Sequence, residues 1–116
     1  MRTPARLVVD GRPTAQRIRR AERWWSRAVG LLGTRSLADD HGLWLAPCAS
    51  VHTVGMAYPI DVVFVDGAGA VLKVVPALTA WRASACRGAV STLELPAGGA
   101  ARLGIVAGGQ LALVAG

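Results

Sequence analysis

The sequence predicts a mainly β domain of the α+β kind: one small domain over residues 1–116, a partly open or closed barrel-like sheet, and one short helix. Three observations carry that expectation. Short runs rich in Val, Leu and Ile recur along the chain, punctuated by Gly, Pro and Asp. Residues 59–75 read as a hairpin, two β-branched runs joined by Asp66-Gly67-Ala68-Gly69. Only residues 24–32 sustain a helical period. A length of 116 residues suits one core, and a hydrophobic content of 53% argues against disorder.

From the N-terminus, residues 5–9 form a short strand that ends at Asp10-Gly11-Arg12-Pro13. Residues 16–23 alternate around Ile18 and read as a polar strand paired back onto the first. In residues 24–32, Trp25, Val29 and Leu32 follow the 3.6-residue period, and Trp24, Ala28 and Leu31 widen the apolar face. Gly33 suits the left-handed position that ends a helix. Asp39-Asp40-His41-Gly42 reads as a loop, residues 43–45 as the start of a second β region, and Pro47 as its interruption.

Residues 48–56 have mixed character. In the hairpin that follows, Ile60, Val62 and Phe64 face one side while Asp61, Val63 and Val65 face the other. Both strands are apolar at nearly every position, so both faces should be covered. Pro76 is expected to end the second strand, and residues 79–88 to be a connection. Residues 90–95 make a further strand, 100–103 one helical turn, and 110–114 the last strand. Six to eight short strands with one substantial helix suit a barrel-like sheet.

Several functional classes are disfavoured at once. The densest apolar run, residues 59–65, is broken by Asp61, whereas a spanning helix needs about 20 apolar residues. Leu7-Val8-Val9 gives way to Asp10-Gly11 too soon for a secretory signal, so a cytoplasmic protein is expected. Cys48 and Cys86 are then thiols rather than a disulfide framework. The net charge of +6 comes from twelve arginines and one lysine against seven acids. Such a balance attracts polyanions. The Ala, Gly and Val content also fits a GC-rich coding sequence in which Arg replaces Lys, and that plainer reading is preferred.

Three blocks bear a family likeness: residues 27–33 (RAVGLLG), residues 59–66 (PIDVVFVD) and residues 93–98 (LELPAG). Their order and spacing resemble the DUF192 family of small bacterial and archaeal proteins, from about Arg17 to the end of the chain. The resemblance implies a small β-rich, barrel-like fold and no assigned activity. Many members carry an aromatic-Trp-Met-Lys-Asn-Thr segment ahead of the proline. Val51-His52-Thr53-Val54-Gly55-Met56 stands there in this chain, and Gly108-Gly109 replaces the Gly-Asp common near the end.

The candidate functional residues are Cys48, His52, Thr53, Met56 and Asp61. A thiolate, an imidazole and a thioether are soft ligands of the kind copper prefers, so Cys48, His52 and Met56, with Cys86 as a fourth, are weak metal candidates. Four-residue spacing brings side chains within about 5–6 Å on a helix. In a strand the separation is about 13 Å. Pro47, Gly55 and Pro59 favour extended backbone and so disfavour the metal reading. Cys48 and His52 could instead be a nucleophile and base with Asp61 as orienter. No hydrolase signature surrounds Cys48, and a small buried thiol is preferred.

Asp61 interrupts an apolar strand, and a buried carboxylate must be paired or hydrogen-bonded. It is expected to accept bonds from backbone amides or to pair with Arg27, Arg35 or Arg82, as a structural anchor. Glu94 raises the same question, with a buried arginine as its expected partner. Arg17, Arg19, Arg20 and Arg23 could bind nucleic acid, although no recognised motif accompanies them. The preferred function is therefore a small non-catalytic binding or accessory domain for a small ligand or protein partner. Its groove should lie near residues 48–56, and no cofactor is called for.

Overall fold

Asp10 and Gly11 both take positive φ (50° and 78°), the mirror-image turn that suits the right-handed twist of a hairpin. They join β1 (Ala5–Val9) to β2 (Arg12–Ala21) in an antiparallel ladder. The turn is thus tighter than Asp10-Gly11-Arg12-Pro13, and the polar strand expected at residues 16–23 begins earlier. The ladder slips between Arg6 and Val8. There the Thr14 hydroxyl donates to the Leu7 carbonyl (2.7 Å) and accepts from the Gln16 N–H (3.2 Å). A side chain thus satisfies groups that the irregular ladder leaves over.

In this computed structural model, residues 4–21, 39–52, 58–79 and 82–116 are described. The helix expected at residues 24–32 lies outside them. The remaining elements are β3 (His41–Leu45), β4 (Ser50–His52), β5 (Ile60–Val65), β6 (Val71–Leu78), β7 (Ala83–Ala85), β8 (Ser91–Pro96), α1 (Gly99–Leu103) and β9 (Leu111–Ala115). Seven strands form one mixed sheet in the order β6-β5-β8-β3-β2-β1-β9, in which only β2 and β3 run parallel. Strands β4 and β7 form a separate antiparallel pair.

The alternation in β5 separates two cores. Val63 and Val65 join Leu7, Val9, Ile18, Leu93, Leu95, Leu103 and Ile105 on the inner face. Ile60, Val62 and Phe64 join Leu43, Leu45 and Val51 on the outer face. All six residues of β5 are buried, as are all six of β8.

Of the partly open and closed forms expected, the sheet takes the partly open one, and several other expectations are corrected. Its edges meet at a short seam where Ala70 bridges Gln110, Val71 N–H donates to the Gly109 carbonyl (2.9 Å), Gly108 N–H donates to the Val71 carbonyl (2.8 Å) and Leu111 N–H donates to the Gly69 carbonyl (2.8 Å). Beyond that seam β6 and β9 diverge, so the sheet is partly open. The expectation of two covered faces holds for β5 and fails for β6, whose side chains are largely exposed or half-buried because it is an edge strand.

Pro76 does not end β6. A register shift between Ile60 and Val62 absorbs it, Ala77 takes φ 49°, and the strand continues to Leu78. An edge strand tolerates a missing N–H at such an irregularity.

His41-Gly42 is not loop but the start of β3. A Cβ on Gly42 would lie 2.8 Å from Ile18 Cδ1 and 2.9 Å from Leu95 Cδ2, so glycine lets β3 approach the inner core. The supposed connection after residue 79 contains β7, and residues 48–56 contain β4.

Candidate functional site

Asp61 is 1% exposed, and each of its carboxylate oxygens accepts from a backbone amide. Oδ1 accepts from Ala77 N–H (2.8 Å) and Oδ2 from Ala100 N–H (2.9 Å). One side chain therefore satisfies the irregularity in β6 and the first turn of α1. Gly98, at the helix N-cap, has no side chain to do so. Of the expected partners, backbone amides are present, while Arg27 and Arg35 lie outside the described residues. This geometry sets Asp61 on the sheet face opposite the core against which Cys48 packs. It shares the inner face with Val63 and Val65, whereas β4 covers the outer core through Val51.

The other candidate residues gather around the β4–β7 pair. Register sets Ser50 opposite Ala85, Val51 opposite Ser84 and His52 opposite Ala83. Cys86 N–H donates to the Ala49 carbonyl (3.0 Å), extending the ladder toward Cys48. Both cysteines are half-buried thiols packed against the outer core. The Cys48 thiol donates to the Ser50 carbonyl (3.1 Å), and Thr92 Oγ1 donates to the Cys48 carbonyl (2.9 Å). Thr53, Met56 and the His52 side chain lie outside the described residues, as does most of the groove expected there. Among the described residues, no three His, Cys, Asp or Glu side chains gather as a metal site requires.

Sequence reasoning overlooked two residues here. Lys73, the only lysine, donates from Nζ to Ser84 Oγ (3.2 Å) and to the Ala85 carbonyl (3.1 Å), with its ammonium 5.8 Å from the Phe64 ring centroid. It fastens β7 to β6 over the outer core. Its rarity in an arginine-rich chain was the available signal. Ser84, its partner, had none.

Glu94 is 1% exposed on β8, between Val62 and Leu43 in register. Arg17 and Arg19 are exposed on one side of β2, and Arg20 is exposed near its end. Arg23 lies outside the described residues. Asp40 Oδ1 lies 2.8 Å from His41 Nδ1, and that hydrogen bond holds the Asp40 carboxyl below the usual range, with a smaller contribution from Arg17.

The DUF192 family model, described as an uncharacterized ACR, matches residues 5–113, reaching further toward the N-terminus than the three blocks. No curated protein matches the chain. A crystal structure from Sinorhizobium meliloti 1021, described as a "putative transcription regulator", is similar with a TM-score of 0.83 and 22% identity. The similarity covers 97% of this chain and 96% of that one. A protein of unknown function from Novosphingobium aromaticivorans DSM 12444 is similar with a TM-score of 0.79 and 23% identity, over 94% and 83% of the two chains. At these identities the likeness is one of fold. Among the described residues, no helix is long and apolar enough to cross a membrane.

Proposed function

This chain belongs to the DUF192 family, and from its geometry we propose that it is a small non-catalytic binding or accessory domain. Its recognition site lies on the β4–β7 pair and residues 48–56, and takes a small ligand or a segment of a protein partner in the cytoplasm. The observation that carries this reading is the outward row of the small sheet. Ser50, Ala83 and Ala85 are exposed, and register places His52 alongside Ala83. Small side chains leave the surface low, while Lys73 borders it with a fixed charge. Recognition sites commonly sit on such secondary features carried by a rigid scaffold.

Catalysis is the poorer reading. A nucleophilic thiol needs a base and an orienting group. Asp61 serves the inner face, and the Cys48 thiol donates to a carbonyl.

The test is a thermal-shift panel of carboxylic acids, nucleotides and short peptides on the wild type and on Ala85→Arg, which fills the outward row and leaves the core alone. At least one member should stabilise the wild type and not the variant. Equal stabilisation of both would move the site elsewhere. Turnover of ester or thioester substrates that disappears in Cys48→Ala would replace the binding reading with an enzymatic one.

A second reading rests on Cys86 being drawn to the β4 ladder beside Cys48: a thiol metal site completed by His52 or Met56. Elemental analysis of untagged protein should then find stoichiometric metal that is absent from Cys48→Ala.

A further inference from the structure

The outer face of the large sheet changes character from strand to strand. Over β5, β8 and β3 it is apolar and lies under the small sheet. Over β2 and β1 it carries arginines. Arg6 and Arg17 are register partners, so their Cβ atoms stand about 4.5–5.5 Å apart. Arg19 lies two residues beyond Arg17 on the same side, about 6.6 Å along the strand. Arg17 and Arg19 are exposed, and Arg6 is half-buried. Like charges directly opposite each other weaken a ladder, so this placement carries a cost to the fold.

Of the described acids, Asp40 is seen to act on this face, as a charge beside Arg17. Asp61 and Glu94 are buried. Asp66 Oδ1 accepts from Ala68 and Ala70 N–H, and Asp10 Oδ1 accepts from Gln110 N–H, so both serve turns near the seam. Asp40 is hydrogen-bonded to His41 and feels Arg17 as a neighbouring charge, and Asp39 beside it is exposed. Among the described residues, no carboxylate is hydrogen-bonded to Arg6, Arg17 or Arg19, and their charge stands on the β1–β2 surface.

We propose that this face, built on Arg6, Arg17 and Arg19, binds the phosphate backbone of nucleic acid without reading its sequence. Guanidinium groups match phosphate oxygens in a planar, two-pronged fashion. Two of them along β2 with a third beside them on β1 suit a polymer that is charged at every repeat. His41, the register partner of Arg17, places an aromatic ring beside these arginines, but its Nδ1 is engaged by Asp40, so base stacking supplies little preference for single strands. A membrane surface would need an apolar anchor as well, and Val114, opposite Arg6 on β9, is the only large apolar side chain exposed there among the described residues. The interaction is separate from the β4–β7 site and does not depend on it.

The experiment is fluorescence anisotropy of a labelled duplex of arbitrary sequence, titrated with the full chain between about 50 and 200 mM salt. Three phosphate contacts predict a slope of log K against log salt near −2.7, from about 0.9 per contact. Each of Arg6→Gln, Arg17→Gln and Arg19→Gln should reduce that slope by about 0.9. Arg87→Gln, an exposed position outside this face, should leave it unchanged. Circular dichroism of each variant excludes loss of fold. Absence of binding at the lowest salt would overturn the proposal, as would slopes equal in all variants. Tighter binding to anionic vesicles or to polyglutamate than to the duplex would reassign the face to a membrane or an acidic protein, and so would also overturn it.

Discussion

Asp61 closes two unrelated pieces of backbone with its two oxygens. Removing it leaves two amides without their acceptor, each worth about 1–3 kcal/mol when buried. Asp61→Ala should therefore destabilise the protein by about 2–5 kcal/mol in urea titrations, and Asp61→Asn by less, because one acceptor oxygen remains. A loss below about 1 kcal/mol for Asp61→Ala would mean that the two bonds are dispensable. The anchoring role was legible from one carboxylate in an apolar strand. Its partners were not, since Ala77 and Ala100 lie 16 and 39 residues away and contribute only backbone. At the surface, Asp40 offers a pH test. Its carboxyl is held down first by the His41 hydrogen bond, so the interaction is present above the ordinary carboxylate pKa and lost as pH falls through the lowered value. NMR titration should show the Asp40 carboxyl moving up toward its ordinary value in His41→Ala. No movement would assign the shift to another cause.

The elements that the sequence made legible are those whose pattern is local. The alternation of Ile60, Val62 and Phe64 against Val63 and Val65 describes two cores correctly, because neighbours on both sides of β5 bury both of its faces. The same logic fails for β6, whose composition resembles that of β5 while its position at the sheet edge leaves it exposed. Composition does not encode strand order. The short strands β4 and β7 were missed for a related reason: three residues each, lacking a period, they exist only as each other's partner. The seam between hairpin and β9 depends on Gly69, which has φ 89° and whose added Cβ would strike the Leu111 carbonyl oxygen. Gly69→Ala combines a left-handed conformation with a backbone clash and should destabilise by about 2 kcal/mol or more. Gly67→Ala, which meets only Val90 Cγ2 at 3.7 Å, should stay within about 0.5 kcal/mol. Equal losses at the two positions would show that the seam adds nothing.

Taken whole, the molecule is a rigid mixed sheet with a smaller, less supported sheet laid on one part of its outer face. Strands β5 and β8 lie inside the large sheet and are buried throughout. The β4–β7 pair has two strands, and a two-stranded unit alone is marginal in water. Hydrogen exchange should therefore be slowest in β5 and β8 and fastest, among the strands, in β4 and β7. Comparable protection in all four would mean that Val51 and the Lys73 bridge bind the small sheet as firmly as a core strand. The candidate site was legible only as a region. Cys48 and His52 directed attention to the small sheet, but Lys73 and Ser84 complete its border from elsewhere in the chain. The central claim, that this region recognises a partner and performs no chemistry, is tested most directly by amide shift mapping. Labelled protein is titrated with carboxylic acids, nucleotides and short peptides, and turnover is monitored in the same samples. The account predicts saturable shifts clustered in β4, β7 and residues 46–49, with every added compound recovered unchanged. Shifts confined to other strands, or a compound consumed in a manner that Cys48→Ala abolishes, would contradict it.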